Sequence, residues 1–229
     1  MHMPDGLINA PVSIGAGVLV AGAVAVSLKK TKGSLDSQTA PMAGLVAVFI
    51  FAAQMINFPV AAGTSGHLMG GALAAILVGP WVAVLVMTVV VGIQALVFAD
   101  GGLSALGINI LNMGIVTVIV GILVFAGLMK VLPKTKSSIV AASAIAAFLS
   151  VPASAAAWVF EYALGGTATY ELQTVFISVV GVHLLIGIGE AIITALTVAA
   201  ILATRADLVE GARKFLPKQK LVIKDSVVS

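Results

Sequence analysis

The chain has 229 residues, 60% of them hydrophobic and 9% charged, with twelve Lys and Arg against nine Asp and Glu. A water-soluble domain carries about 25% charged residues, so at a mean hydropathy of +1.18 a cytosolic enzyme is excluded and an all-α integral membrane protein is expected. Cysteine is absent, which removes disulfides and thiolate metal ligands, and a basic surplus on one membrane face needs no nucleic-acid partner.

In chain order, apolar runs broken by Gly, Pro, Asn or charge clusters mark seven membrane passages, at residues 11–28, 41–57, 67–78, 81–98, 107–129, 138–160 and 175–203. Gly79-Pro80 separates the third from the fourth. Unbroken, the stretch from His67 to Phe98 would hold about 32 residues, too many for one span of about 20. The third run is short, so a partial helix is expected there, its irregular start at Gly63-Thr64-Ser65-Gly66 buried inside protein. Lys29, Lys30 and Lys32 follow the first passage; Lys130, Lys134 and Lys136 follow the fifth; Arg205, Arg213, Lys214, Lys218, Lys220 and Lys224 follow the seventh. Seven passages put all of these on one face, which the positive-inside rule makes cytoplasmic, whereas six would divide them.

The N-terminus is then outside and the C-terminus cytoplasmic, with one transmembrane domain over 1–204 and a basic, low-order tail over 205–229. The loops around Thr64-Ser65, Asp100-Gly101-Gly102 and Glu161 to Glu171 lie outside. Asp5, Asp100, Glu161 and Glu171 form an acidic rim there, which attracts cations. The segment Met1-His2-Met3-Pro4-Asp5-Gly6 has no basic n-region and no cleavage site follows it, so Met1 is read as the mature terminus.

Three histidines are present, His2, His67 and His183, and the first two start at the outer face. His2 stands one residue from the α-amino group. The Met1 amine, the deprotonated amide of His2 and its imidazole Nδ1 make two fused chelate rings that occupy three corners of a square plane. Amide deprotonation requires a metal that favours nitrogen donors in tetragonal geometry, Ni(II) or Cu(II) rather than Zn(II) or Mg(II). Position 2 leaves one corner open, and His67 is the imidazole on the same side. Chelation displaces protons from an amine whose ordinary pKa is about 7.7–8.0, so affinity falls in mild acid. The turn chemistry of Pro4-Asp5-Gly6 sets this terminus apart from a frayed tail.

Gly66 and Gly70 repeat at a spacing that lets backbones approach closely, leaving a smooth surface beside His67 for the N-terminal segment. His183, Gly187 and Glu190 share one face of the last passage, Glu190 about 10 Å deeper at 1.5 Å per residue. A buried polar contact that positions the bundle is expected of them rather than metal ligation. Gln54, Asn57, Gln94, Asn109 and Asn112 are expected to tie helices together. Two other classes stay open. Gly63-Thr64-Ser65-Gly66 matches the G-x-S-G pattern of rhomboid-like intramembrane serine proteases, with Ser65 as nucleophile and His183 as base. Glu190 could instead serve a proton relay in a stand-alone secondary cation transporter.

Taken together, Met1-His2-Met3-Pro4-Asp5-Gly6, Ala53-Gln54-Met55-Ile56-Asn57-Phe58-Pro59-Val60, Gly63 to Gly71, Gln94 to Gly102 and the run His183 to Glu190 with Thr194 resemble the NikM/CbiM-type substrate-binding (S) component of nickel/cobalt energy-coupling factor transporters. The resemblance covers most of the chain except the basic tail. It implies an extra first helix before a six-helix S-component core, in the cell membrane, and no enzymatic activity of the chain itself. It implies Ni(II) or Co(II) as the bound substrate, held through the amine of Met1, the amide and imidazole of His2 and the imidazole of His67. It also implies a transmembrane coupling (T) protein, two cytoplasmic ATPase subunits and, as an additional partner, a small membrane subunit. Ala43-xxx-Ala47 resembles the small-residue pattern on which S components meet the coupling protein, and Ala21-xxx-Ala25 competes with it.

Overall fold

The computed structural model describes residues 1–32, 39–60 and 65–216. Gly63 and Thr64, Lys218, Lys220, Lys224 and the rest of the tail from 217 therefore lie outside the described residues. The helices are α1 (Ala10–Thr31), α2 (Thr39–Gln54), α3 (Gly71–Val78), α4 (Pro80–Phe98), α5 (Leu106–Ile110), α6 (Thr117–Val131), α7 (Lys136–Gly165), α8 (Leu172–Thr204) and α9 (Glu210–Arg213). A π-helical turn, Leu111–Val116, joins α5 to α6 in one continuous run. Strands β1 (Phe58–Pro59) and β2 (Ser65–Gly66) form a small antiparallel ribbon, with Phe58 opposite Gly66.

Five of these helical runs are long and apolar enough to cross a bilayer: α1, α4, α5 to α6, α7 and α8. The 16-residue α2 is shorter. This is an all-α membrane protein. Their ends follow from local chemistry. Asn9 caps α1 by accepting the Val12 amide hydrogen at 3.1 Å, and Pro11 follows it; Pro80 opens α4, where a missing N–H costs nothing. Trp158, Phe125, Met87, Ile108 and Ile139 fill the core. Large apolar side chains on α1 and α8, among them Ile14, Leu19, Leu185 and Leu196, point outward, as lipid-facing residues do. Ala43 and Ala47 pack against the core, so the exposed small-residue pair is Ala21 and Ala25.

Four boundaries differ from the expected ones for physical reasons. First, α2 stops at Gln54 rather than 57, because the chain turns into β1. Second, α3 starts at Gly71 rather than His67: Gly70 takes φ +83°, where a Cβ would also meet the Ile50 side chain at 2.6 Å. All eight α3 residues are buried. Third, α7 continues to Gly165, so Glu161 is not part of an outer acidic rim. It is buried and accepts from Asn112 Nδ2 at 2.6 Å. Last, the chain beyond Arg205 does not leave as a polar tail at once, since Val209 and Ala212 are buried and Phe215 meets Phe125 edge-on.

Candidate metal centre

Residues 1–9 thread back into the bundle. Met1 and Met3 are fully buried and His2 is 3% exposed. Asn109, at the end of α5, holds this strap in register. Its Oδ1 accepts the Met3 amide hydrogen at 2.7 Å and its Nδ2 donates to the Met3 carbonyl at 3.1 Å. The Gly102 amide donates to the same carbonyl at 2.9 Å. Farther along, Asn9 donates to Gly165 O at 2.8 Å and Thr167 donates to Leu7 O at 3.0 Å. Asp5 Oδ1 accepts from the Ser104 amide (2.7 Å) and hydroxyl (2.6 Å), and these bonds hold its carboxyl below the usual range. Gly101 makes the seat for His2. Its φ is +94°, and a Cβ there would stand 2.8 Å from His2 Cδ2.

No helix carries His67; it lies in the segment between β2 and α3. Two side chains fix that segment through three hydrogen bonds. Gln54 Nε2 donates to Met69 O at 2.6 Å. The two oxygens of Glu190 accept the amide hydrogens of Met69 (2.7 Å) and Gly70 (2.6 Å). The Glu190 carboxyl sits at the N-terminal end of α3, where the helix dipole favours negative charge. Sequence reasoning assigned Glu190 a contact that positions the bundle; in the structure it holds the segment that carries His67. The Gln and Asn residues were expected to tie helices: Gln94 and Gln54 join α4 to α2 and Asn112 joins the π-turn to α7 through Glu161, whereas Gln54 also grips this segment and Asn109 grips the terminal strap.

These contacts also set the imidazole tautomers. A carbonyl can only accept, so Gln54 presents its amide nitrogen to Met69 O and its Oε1 to Gln94. Gln94 Nε2 donates to that oxygen at 2.8 Å, which leaves Gln94 Oε1 to accept from His2 Nε2 at 3.1 Å. His67 Nδ1 donates to Leu68 O at 2.7 Å. His2 Nδ1 and His67 Nε2 are thus the nitrogens left to face a ligand, the outer-shell arrangement found around metal-binding histidines.

They do face one another. His67 Nε2 lies 3.2 Å from His2 Nδ1 and hydrogen-bonds the Met1 amine. Burial holds that amine well below its ordinary pKa, against an opposing pull from Asp100. Asp100 Oδ1 lies 3.1 Å from His2 Nδ1, beside the nitrogen left to face a ligand. Asn57, exposed rather than inward, donates to Asp100 Oδ2 at 3.2 Å. An open cleft of about 440 Å³, lined in part by His2, Asp5, Asn57, Ser65 and Asp100, leads to the outer side of this cluster. Among the described residues no group of three or more His, Cys, Asp or Glu side chains could hold a metal ion.

Ser65 belongs to the same cluster. Its Oγ accepts the His2 amide hydrogen at 3.4 Å and lies 3.5 Å from His2 Nδ1. His183 does not activate it: its Nδ1 bonds Val179 O on its own helix at 2.6 Å, and its Nε2 has no hydrogen-bond partner among the described residues. That contact stays within α8, whereas a buried polar contact that positions the bundle was expected of His183.

The family model described as "CbiM: Cobalt uptake substrate-specific transmembrane region" matches residues 2–208. A protein of Haloquadratum walsbyi named as a metal transport protein is 39% identical over 212 residues, covering 91% of this chain and 93% of its own. One of Archaeoglobus fulgidus named as a fused nickel transport protein, NikMN, is 39% identical over 211 residues, covering 92% and 68%. The crystal structure of a truncated transition metal transporter superposes with a TM-score of 0.82 at 31% identity, over 89% of this chain and 99% of that one.

Proposed function

The chain belongs to the CbiM family of cobalt-uptake substrate-specific transmembrane proteins, and on that premise we propose that it is the metal-capturing membrane subunit of an ATP-driven, energy-coupling-factor importer for Ni(II) or Co(II). Its relatives are named as transport proteins, not enzymes. The ion sits in a square plane of the Met1 amine, the His2 amide nitrogen, His2 Nδ1 and His67 Nε2.

One observation carries this reading. The two fused chelate rings fix the amine and His2 Nδ1 at opposite corners with the amide between them. The remaining corner must therefore adjoin both the amine and Nδ1. His67 Nε2 is the atom in contact with both. Neighbouring donors at metal–nitrogen bonds of about 2.0 Å stand about 2.8 Å apart, close to the 3.2 Å between the two imidazole nitrogens. Asp100, at the floor of the cleft, draws cations inward.

Counting α2 and the α3 segment as passages gives seven, with the N-terminus outside, 1–204 as one transmembrane domain and 205–229 as a cytoplasmic tail. The chain resides in the cell membrane, contacting lipid on its apolar faces. A transmembrane coupling protein, two ATPase subunits and an additional small membrane subunit complete the importer. Titration of the full-length protein with Ni(II) tests the site: His2→Ala and His67→Ala each abolish tight binding, and the wild-type complex is diamagnetic. An octahedral, oxygen-rich Ni(II) spectrum would overturn the reading. Co-purification with coupling and ATPase subunits tests the assembly.

A further inference from the structure

We propose that Glu161 is a positioning residue for the metal centre: through Asn112 it ties together the two anchors of the N-terminal strap and so sets where the Met1 amine stands. This rests on the square-planar reading above, in which that amine is a donor. The strap is held at two places. Near the terminus, Asn109 of α5 bonds both the amide and the carbonyl of Met3. Farther along, the end of α7 takes over. Asn9 donates to Gly165 O at 2.8 Å, Thr167 donates to Leu7 O at 3.0 Å, and Ile8 pairs with Gly166 as an antiparallel bridge. The approach is close, since a Cβ on Gly165 would stand 2.6 Å from Val12 Cγ2 and 2.8 Å from Asn9 Oδ1.

These anchors belong to different elements, and Asn112 joins them. It is the second residue of the π-turn Leu111–Val116, which follows α5 directly. A π-turn holds one residue more than an α-turn, worth a rotation of about 100° along a helix. The aim of Asn109 therefore depends on this turn staying in place. Two side chains of α7 pin it. Ser154 Oγ donates to Asn112 O at 2.8 Å, and Glu161 accepts from Asn112 Nδ2 at 2.6 Å. Glu161 stands four residues before Gly165, about one helical turn from the second anchor.

Packing alone does not require this pair. Glu161 is buried, and an ionisable side chain within a membrane helix is expensive; an apolar one would fill the same space without that cost. A chelate, by contrast, needs its donors held to about 0.5 Å. The bond between Glu161 and Asn112 puts both anchors in one frame, and the amine with them.

Acylation of the Met1 amine in the metal-free, full-length protein reads the strap directly, with the lysines as internal reference and mass spectrometry as detection. Met1 is fully buried, so the wild-type amine reacts slowly. Glu161→Leu speeds its labelling about tenfold and weakens Ni(II) binding about tenfold, the low end for changes around ligands because Asn109 still holds Met3. Glu161→Gln keeps both near wild type: its Oε1 accepts from Asn112 Nδ2, and its Nε2 donates to Asn112 Oδ1, which is buried without a partner among the described residues. Ile139→Ala opens a cavity at the far end of α7, about 33 Å from Glu161. It lowers thermal stability and leaves Met1 labelling unchanged, which separates positioning from loss of stability. Wild-type labelling and Ni(II) affinity in Glu161→Leu, equal losses in Glu161→Gln, or equally fast labelling in Ile139→Ala each overturn the inference and leave the plane standing. Labelling of Glu161→Leu that saturating Ni(II) fails to slow overturns the plane, and the inference with it.

Discussion

Glu190→Gln is the sharpest test of how a residue in the middle of a membrane helix governs a site near the surface. The carboxylate accepts two hydrogen bonds, from Met69 N at 2.7 Å and Gly70 N at 2.6 Å. Bonds to a charged acceptor are worth about 1.5–3 kcal/mol each. Glutamine keeps one oxygen but turns an NH2 group toward the second amide, so one bond is lost and a buried N–H is stranded. The segment carrying His67 is then loosened by about 2–3 kcal/mol. Since about 1.4 kcal/mol is a factor of ten, Ni(II) binding weakens by about 30- to 100-fold. Chelator competition on the full-length protein in lipid nanodiscs measures the affinity, and hydrogen exchange of residues 67–74 measures the loosening. Wild-type affinity with unchanged protection of the Met69 and Gly70 amides would refute the clamp.

Other consequences can be checked alongside. One residue added before Met1 moves the amine out of the chelate, so Ni(II) affinity falls by more than the about 10- to 100-fold typical of changes around the ligands; calorimetry that finds wild-type binding would remove the amine from the donor set. Gly101→Ala forces φ +94° on a residue with a Cβ, at a cost of about 1–2 kcal/mol, and pushes on His2; about tenfold weaker binding is expected, against no change if the seat is slack. The pH profile has a defined sign. Because burial lowers the Met1 amine pKa, the amine is already neutral just below its ordinary value of about 8. Log affinity there rises with slope near one, from the amide proton, and steepens toward two only in more acid solution; competition titrations across that range showing slope two from the start would contradict a buried amine. Asp100→Asn slows Ni(II) association by about tenfold at low salt and much less at high salt, as stopped-flow mixing can establish.

Much of this was legible before any coordinates. Membrane residence follows from charge scarcity, and the helical passages follow from run lengths and from Gly79-Pro80. That the Met1 amine, the His2 amide and the His2 imidazole lie close together follows from covalent geometry, since a few bonds link them. What depended on tertiary structure is everything joining residues far apart in the chain. The contact of His67 Nε2 with the Met1 amine and His2 Nδ1 spans 66 and 65 residues. The chain from His2 through Gln94 and Gln54 to Met69 chooses tautomers that composition leaves open. Glu161 was misplaced because an acidic residue near a helix end reads alike whether α7 stops before it or carries it one turn deeper against Asn112. Sequence periodicity resolves which residues share a helix face, but not which face meets which neighbour. That is settled only when the helices pack, and packing gives Glu190 its grip on the His67 segment.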